Sequence, residues 1–306
     1  MQIRTDLAME CRASAQTLSG VTSRSILHGR IEEVRVTIES EHAAKALQKA
    51  CGQYVTLYHA DLWHADAEER TALSRHTARI LRSMLPSKGD ILTVGLGNRH
   101  MTADALGSRV LDSLLITRHV RPFMDEPKSL RGVCAVAPGV LGMTGMETAE
   151  VVQGIVEHVR PAAVIAIDAL AARESSRICT TIQVTDTGIR PGSGVGNHRM
   201  GLTRETLGIP VIAIGVPMVV YASVIARDAL GLLLQNMGMD EEEHAQAVDT
   251  LAAQVTKQGL GELVVTPREV DELVGKVAAI IADGINLALQ SGLTEEEIRT
   301  LSHDGP

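Results

Sequence analysis

Apolar and polar residues alternate from Ile31 to Ile38, through Ile31, Val34, Val36 and Ile38 with one slip, which predicts a half-buried strand. Tyr54 to Tyr58 predicts a second. From Glu68 to Leu85 the spacing becomes helical, carried by Leu73, Ile80, Leu81 and Met84, and Pro86 ends it. The middle of the chain then alternates short apolar runs with helical segments. Ile91 to Val94 runs into Gly95-Leu96-Gly97-Asn98, and a helix from about Ala103 to Leu115 follows. Val133 to Val136 runs into Pro138-Gly139, and Glu147 to Val159 has helical spacing through Val151, Val152, Ile155 and Val156. Val164 to Ile167 ends at Asp168. Thr181 to Val184 and Val211 to Ile214 are further strands, the last ending at Gly215-Val216-Pro217. A long helix is predicted from Val219 to Leu234, and the tail carries helices near Glu241–Gln258, Asp271–Leu289 and Glu295–Leu301. Residues 1–25, polar and rich in small side chains, read as a loosely packed arm.

Strand–helix alternation of this kind favours right-handed crossovers. The fold class expected is therefore α/β: three layers, α/β/α, around a mainly parallel central sheet. In such sheets ligands bind in the crevice outside the carboxyl ends of the strands. Gly97-Asn98, Pro138 to Glu147, Asp168 and Pro191 to Asn197 all fall there. Composition supports the layering. Hydrophobic residues make up 45% and aromatics 2%, with Phe123 and Trp63 each the only one of its type. A core of Val, Ile, Leu, Ala and Met suits strands covered on both faces. The net charge of -8 gives no basic footprint for direct nucleic-acid binding. Cys11, Cys51, Cys134 and Cys179 lie far apart, so reduced thiols are expected rather than disulfides or a zinc cluster. The start of the chain lacks an apolar signal core, and no run approaches the roughly 20 residues of a membrane helix. A soluble protein retained inside the cell is expected.

Asp168 follows a fully apolar run directly, and a carboxylate partly desolvated at a strand mouth has a raised pKa and suits acid–base work. The structural alternative is a helix cap or a partner for Arg173. Asp104, in Met101 to Gly107, has a strong structural alternative in the first turn of a helix capped by Thr102. Two carboxylates sharing a pocket do not both ionise cheaply, so one can hold a proton while the other activates water. The run Pro191 to Asn197 is glycine-rich but lacks the Lys-Ser/Thr of a phosphate loop, and reads as a tight loop with exposed backbone amides. Thr144 and Glu147 have the spacing of a capping box. Among the eleven histidines there is no HExxH pattern; His198, beside the glycine-rich loop, and His119 are the ones to name. No GxSxG elbow is present.

Several longer strings carry a resemblance. They are Gly95 to Asn98, Thr102 to Gly107, Thr117-Arg118-His119, Ala137 to Val140, Gly142 to Glu150 and Val164 to Ala171. Thr180 to Gln183, Asp186 to Ile189, Pro191 to Asn197, Gly201-Leu202-Thr203 and Gly208 to Pro217 complete the set. In these the chain resembles the spore germination protease family, most closely over residues 91–217, sparsely over 1–60 and hardly beyond about 235.

The resemblance implies a fold similar to the hydrogenase-maturation endopeptidases. It implies an atypical, aspartic-type endopeptidase that degrades small acid-soluble spore proteins at germination. Such a protein is made as a self-processing zymogen in the forespore and spore core, and assembles as a homotetramer. By motif the family's two catalytic aspartates fall on Asp104 and Asp168, with Asp186 in reserve and Asn98, Glu147 and His198 as further site candidates. The processing site falls between Asp6 and Leu7 in Thr5-Asp6-Leu7-Ala8. Residues 1–6 then form a short propeptide and 7–306 a single peptidase domain, with a helical tail over 235–306. No cofactor is implied, while a metal is left open. Where the family tends to have Thr and Asp after Pro217, this chain has Met218 and Tyr221. Two other functions stay open at this point: a metal-assisted peptidase of the same fold, and a catalytically impaired binding homologue.

Overall fold

Ile91–Gly95 (β4), Ala163–Ala172 (β6) and Val211–Tyr221 (β8) are almost wholly buried, which is the mark of strands covered on both faces. The computed structural model describes residues 7–11, 18–123, 130–190, 200–238, 241–255 and 263–303. Val133–Val136 (β5), β4, β6 and β8 lie side by side and parallel. The sheet continues beyond β8 through antiparallel pairings to Thr181–Thr185 (β7), Gly52–Tyr58 (β3), Ile31–Ile38 (β2) and Val21–His28 (β1). A two-residue strand, Val264–Val265 (β9), pairs with the far end of β8. The parallel strands expected from the sequence thus form one half of the sheet, and the alternating segment at Ile31 to Ile38 belongs to its antiparallel half.

Alternate residues divide the core into two layers. Ile165, Ile167, Ile212 and Ile214 point towards one face, where Ala67–Met84 (α2), Leu106–Leu111 (α3) and Val270–Leu289 (α9) pack. Val164, Ala166, Leu92 and Val94 point to the other, covered by Thr148–Val159 (α5), which brings Val152 and Val156. Helix α2 starts one residue before its predicted Glu68 because Asp66 accepts the Glu69 amide at 2.9 Å while Glu69 accepts the Asp66 amide at 3.1 Å. The other helices are Glu41–Leu47 (α1), Leu141–Thr144 (α4), Arg204–Leu207 (α6), Ala222–Asn236 (α7), Glu241–Val255 (α8) and Glu295–His303 (α10). None of the described helices is long and apolar enough to cross a membrane.

Several expectations need revision. Strand β6 does not end at Asp168 but runs on to Ala172, and β8 runs past Pro217 to Tyr221. These ends pair with one another, and β9 holds Val220 and Tyr221, so the helix predicted from Val219 begins only at Ala222. The segment read as a loose arm contains the first five residues of β1 (Val21 to Ser25), and Leu7, Ala8 and Met9 are buried in the main core. The helix predicted from Ala103 to Leu115 is a 3-10 turn at Thr102–Asp104 followed by the short α3. The capping box predicted from Thr144 and Glu147 lies one step further on: Glu147 is the N-cap residue of α5, and Glu150 accepts its amide at 3.1 Å.

Helix α3 lies backbone to backbone against the end of β4. A Cβ at Gly107 would collide with the main-chain atoms of Leu96 and Gly95, which have no free rotamer through which to yield. Gly107→Ala is therefore expected to lower stability by about 1–3 kcal/mol, read as a fall in the urea midpoint at unchanged slope.

Candidate active site

The ends of the parallel strands are staggered. Strand β4 stops where Gly95 lies beside Ile167, whereas β6 and β8 continue together for five more residues of β6, Asp168 to Ala172. Asp168 is thus the first residue of β6 past the end of β4. It is 6% exposed, and its Oδ1 accepts the amide of Ala169 at 2.9 Å. The chain leaving β4 stays beside it, since the Leu96 amide donates to the Ile167 carbonyl at 2.8 Å.

That same departing chain receives Asp104. Gly97 turns with φ +93, a left-handed conformation in which the lack of a Cβ lets the Asp104 backbone close against it. The Asn98 amide then donates to Asp104 Oδ2 at 2.8 Å. The 3-10 turn carrying Asp104 packs against β6, β8 and α9. Thr102 does not cap it as the sequence suggested; its hydroxyl donates to Asp271 Oδ1 at 2.7 Å, tying the turn to the first residues of α9. Asp104, Asn98 and Asp168 are therefore gathered at the carboxyl rim of the parallel strands.

A row of residues crosses the sheet at this level. Asp168 is opposite Gly215, Gly215 opposite Gln183, and Gln183 opposite Thr56. Residues directly opposite one another share a face, so Asp168 and Gln183 point to the same side, separated by a strand without a side chain. Leu170 lies across Gly215, and a Cβ at Gly215 would strike it. Gln183 Oε1 accepts the Ala8 amide at 2.7 Å. Glu10 accepts the Arg173 and Glu174 amides at 3.0 Å each, just past the end of β6. Leu7 to Glu10 is therefore pinned alongside the rim, with Leu7 0% exposed. Sequence reasoning gave neither Gln183 nor Glu10 a place in the site; a glutamine amid the apolar residues of β7 was the available signal.

The remaining candidates are dispersed. Asp186 follows β7, which runs antiparallel to β8, so it sits towards the opposite end of the sheet, where its Oδ1 accepts the Gln53 amide at 2.8 Å. The reserve role is not supported by this placement. Glu147 stays on the carboxyl side as the half-buried N-cap residue of α5. Asp6, His198 and the run Pro191 to Asn197 lie outside the described residues. Met218, a departure from the family pattern, is 0% exposed in the core, with Cys179 Sγ 3.8 Å from its sulfur. Burial pushes the Cys179 thiol up to about 12, so it carries no thiolate at neutral pH. On the same carboxyl side, Tyr58, Trp63, Ser175 and Thr180 help to line an open depression of about 410 Å³. Among the described residues one group of three metal-type donors is close enough to share an ion, His28, Glu33 and His76, and it is remote from Asp168 in the sheet.

Comparison with known proteins gives a consistent result. A family model described as germination protease matches residues 2–261, well beyond the core that carried the resemblance. The germination protease of Caldanaerobacter subterraneus subsp. tengcongensis is 42% identical, over 98% of this chain and 98% of its own. That of Clostridium perfringens strain SM101 is 40% identical over 97% and 98% respectively. That of Priestia megaterium is 36% identical over 98% and 97%. Among solved structures, the NiFe hydrogenase maturation protease HycI from Thermococcus kodakarensis KOD1 overlays 67% of this chain and 98% of its own at 18% identity, with a TM-score of 0.36. With a family model spanning most of its length and relatives similar across nearly all of it, this chain belongs to the germination protease family, peptidases of germination.

Proposed function

We propose that this chain is an endopeptidase of aspartic type that degrades small acid-soluble spore proteins, and that it first trims its own N-terminus between Asp6 and Leu7. The observation that carries the reading is that the turn bearing Asp104 packs against β6 and β8, the strand pair whose extension begins at Asp168, beside a docked N-terminal segment. Water adds to the carbonyl carbon as one carboxylate takes its proton. The other carboxyl, holding a proton, gives it to the departing nitrogen as the C–N bond breaks. This division needs no covalent intermediate. The buried, protonated Cys179 argues against a thiol nucleophile there.

The N-terminal geometry supports self-trimming. Gln183 holds the Ala8 amide on the face that Asp168 shares, and Glu10 is bonded to the amides just past β6, so Leu7 to Glu10 is held beside the rim. The resemblance further implies a homotetramer in the spore core.

Asp104→Asn and Asp168→Asn are each expected to lower cleavage of a spore-protein substrate by about 10³-fold or more, with unchanged circular dichroism and oligomeric size. Near-normal cleavage by either variant removes that residue from the role. Gln183→Ala is expected to slow self-trimming about tenfold, the effect of one lost hydrogen bond to a buried amide. Cleavage of a separate peptide by the trimmed form should change much less; new N-termini read by mass spectrometry over time separate the two effects. Alkylation of the native protein with iodoacetamide is expected to leave Cys179 unmodified and peptide cleavage intact, whereas loss of cleavage on alkylation would point to a thiol mechanism.

A further inference from the structure

At the antiparallel end of the sheet, on the face away from Asp168, a charged cluster is unaccounted for by peptide hydrolysis. Glu33 in β2 is 1% exposed yet points beneath α2. Its Oε2 lies 3.5 Å from His28 Nε2 and 3.8 Å from His76 Nδ1. The three donor atoms all lie within 4.8 Å of one another. In a tetrahedral zinc site with bonds near 2.1 Å, neighbouring donors are about 3.4 Å apart, so two edges of this triangle are already close to the required length. His28 Nε2 is buried without a hydrogen-bond partner in the described structure. A cationic nitrogen also sits among the donors: Arg79 Nη2 contacts Glu33 Oε2 and is 2.9 Å from His76 Nδ1. Arg79 is 52% exposed and free to swing away, while Arg35 Nε holds the other oxygen, Oε1, at 2.7 Å. That leaves Oε2 for an ion and fixes the carboxylate plane, as outer partners do in metal sites.

We propose that His28, Glu33 and His76 form a binding site for one divalent ion of the zinc class, with Arg79 holding the place of the ion in its absence. Two imidazoles and a carboxylate match the donor preference of such ions, and water completes the fourth position. The site clamps the hairpin of β1 and β2 to α2, so its effect is on the stability of that edge. It is distinct from any metal acting at Asp104 and Asp168, because Glu33 points to the α2 face and Asp168 to the α5 face.

The test uses untagged full-length protein, stripped with a chelator and titrated with zinc alone, and separately with cobalt(II) as a spectroscopic stand-in. One equivalent of zinc is expected to bind and raise Tm, and cobalt is expected to show the intense visible bands of four-coordination. His28→Ala and His76→Ala should each weaken zinc binding about 100-fold or more, with peptide cleavage retained. Arg79→Gln should bind zinc at least as tightly as the parent. The proposal is overturned if the parent binds no stoichiometric ion, if bound cobalt has the weak spectrum of six-coordination, or if affinity survives both histidine substitutions. The cobalt spectrum is read on the unaltered protein, and retained peptide cleavage by each histidine variant shows that its loss of affinity is not a folding defect.

Discussion

The unequal length of neighbouring parallel strands is the constraint on which the rest of this molecule depends. Strand β4 gives out at Gly95 while β6 and β8 stay paired. A strand that loses its neighbour exposes a row of backbone groups and a change of environment within one residue. Asp168 stands at that step. The chain leaving β4 remains bonded to β6, and the left-handed turn at Gly97 folds Asp104 back onto it. A side chain that would otherwise be a routine helix-start carboxylate is thereby delivered to the rim of a different strand.

The parallel half of the fold was legible because its strands are short, nearly pure apolar runs bounded by glycine, proline or aspartate. The strand extensions were not. Asp168 looks like a stop in sequence, yet Ala169 to Ala172 resume the buried pattern, and only pairing with β8 shows that they continue the same strand. Val219 to Tyr221 reads equally well as a helix start. Its partner, Val264–Val265, lies more than forty residues away, beyond the reach of any local rule.

The same limit divides the candidate residues. The position of Asp104 and Asp168 near the carboxyl rim was legible because each comes after a short apolar run whose parallel direction could be inferred from intervening helices. Asp186 also follows a strand, but that strand runs the other way, and direction is a property of the whole sheet. Gln183 and Glu10 were invisible for a related reason. Each acts on a backbone amide more than 150 positions away, so no local pattern announces the contact.

The seating of Leu7 to Glu10 has a mechanical consequence. Its anchors are amides of the β6 exit and a glutamine within β7, parts of the body that do not shift easily. Pulling the segment away would strand those amides without acceptors and open the space filled by Leu7. Leu7 to Glu10 is therefore a fixture of the wall, held as firmly as the strands that anchor it.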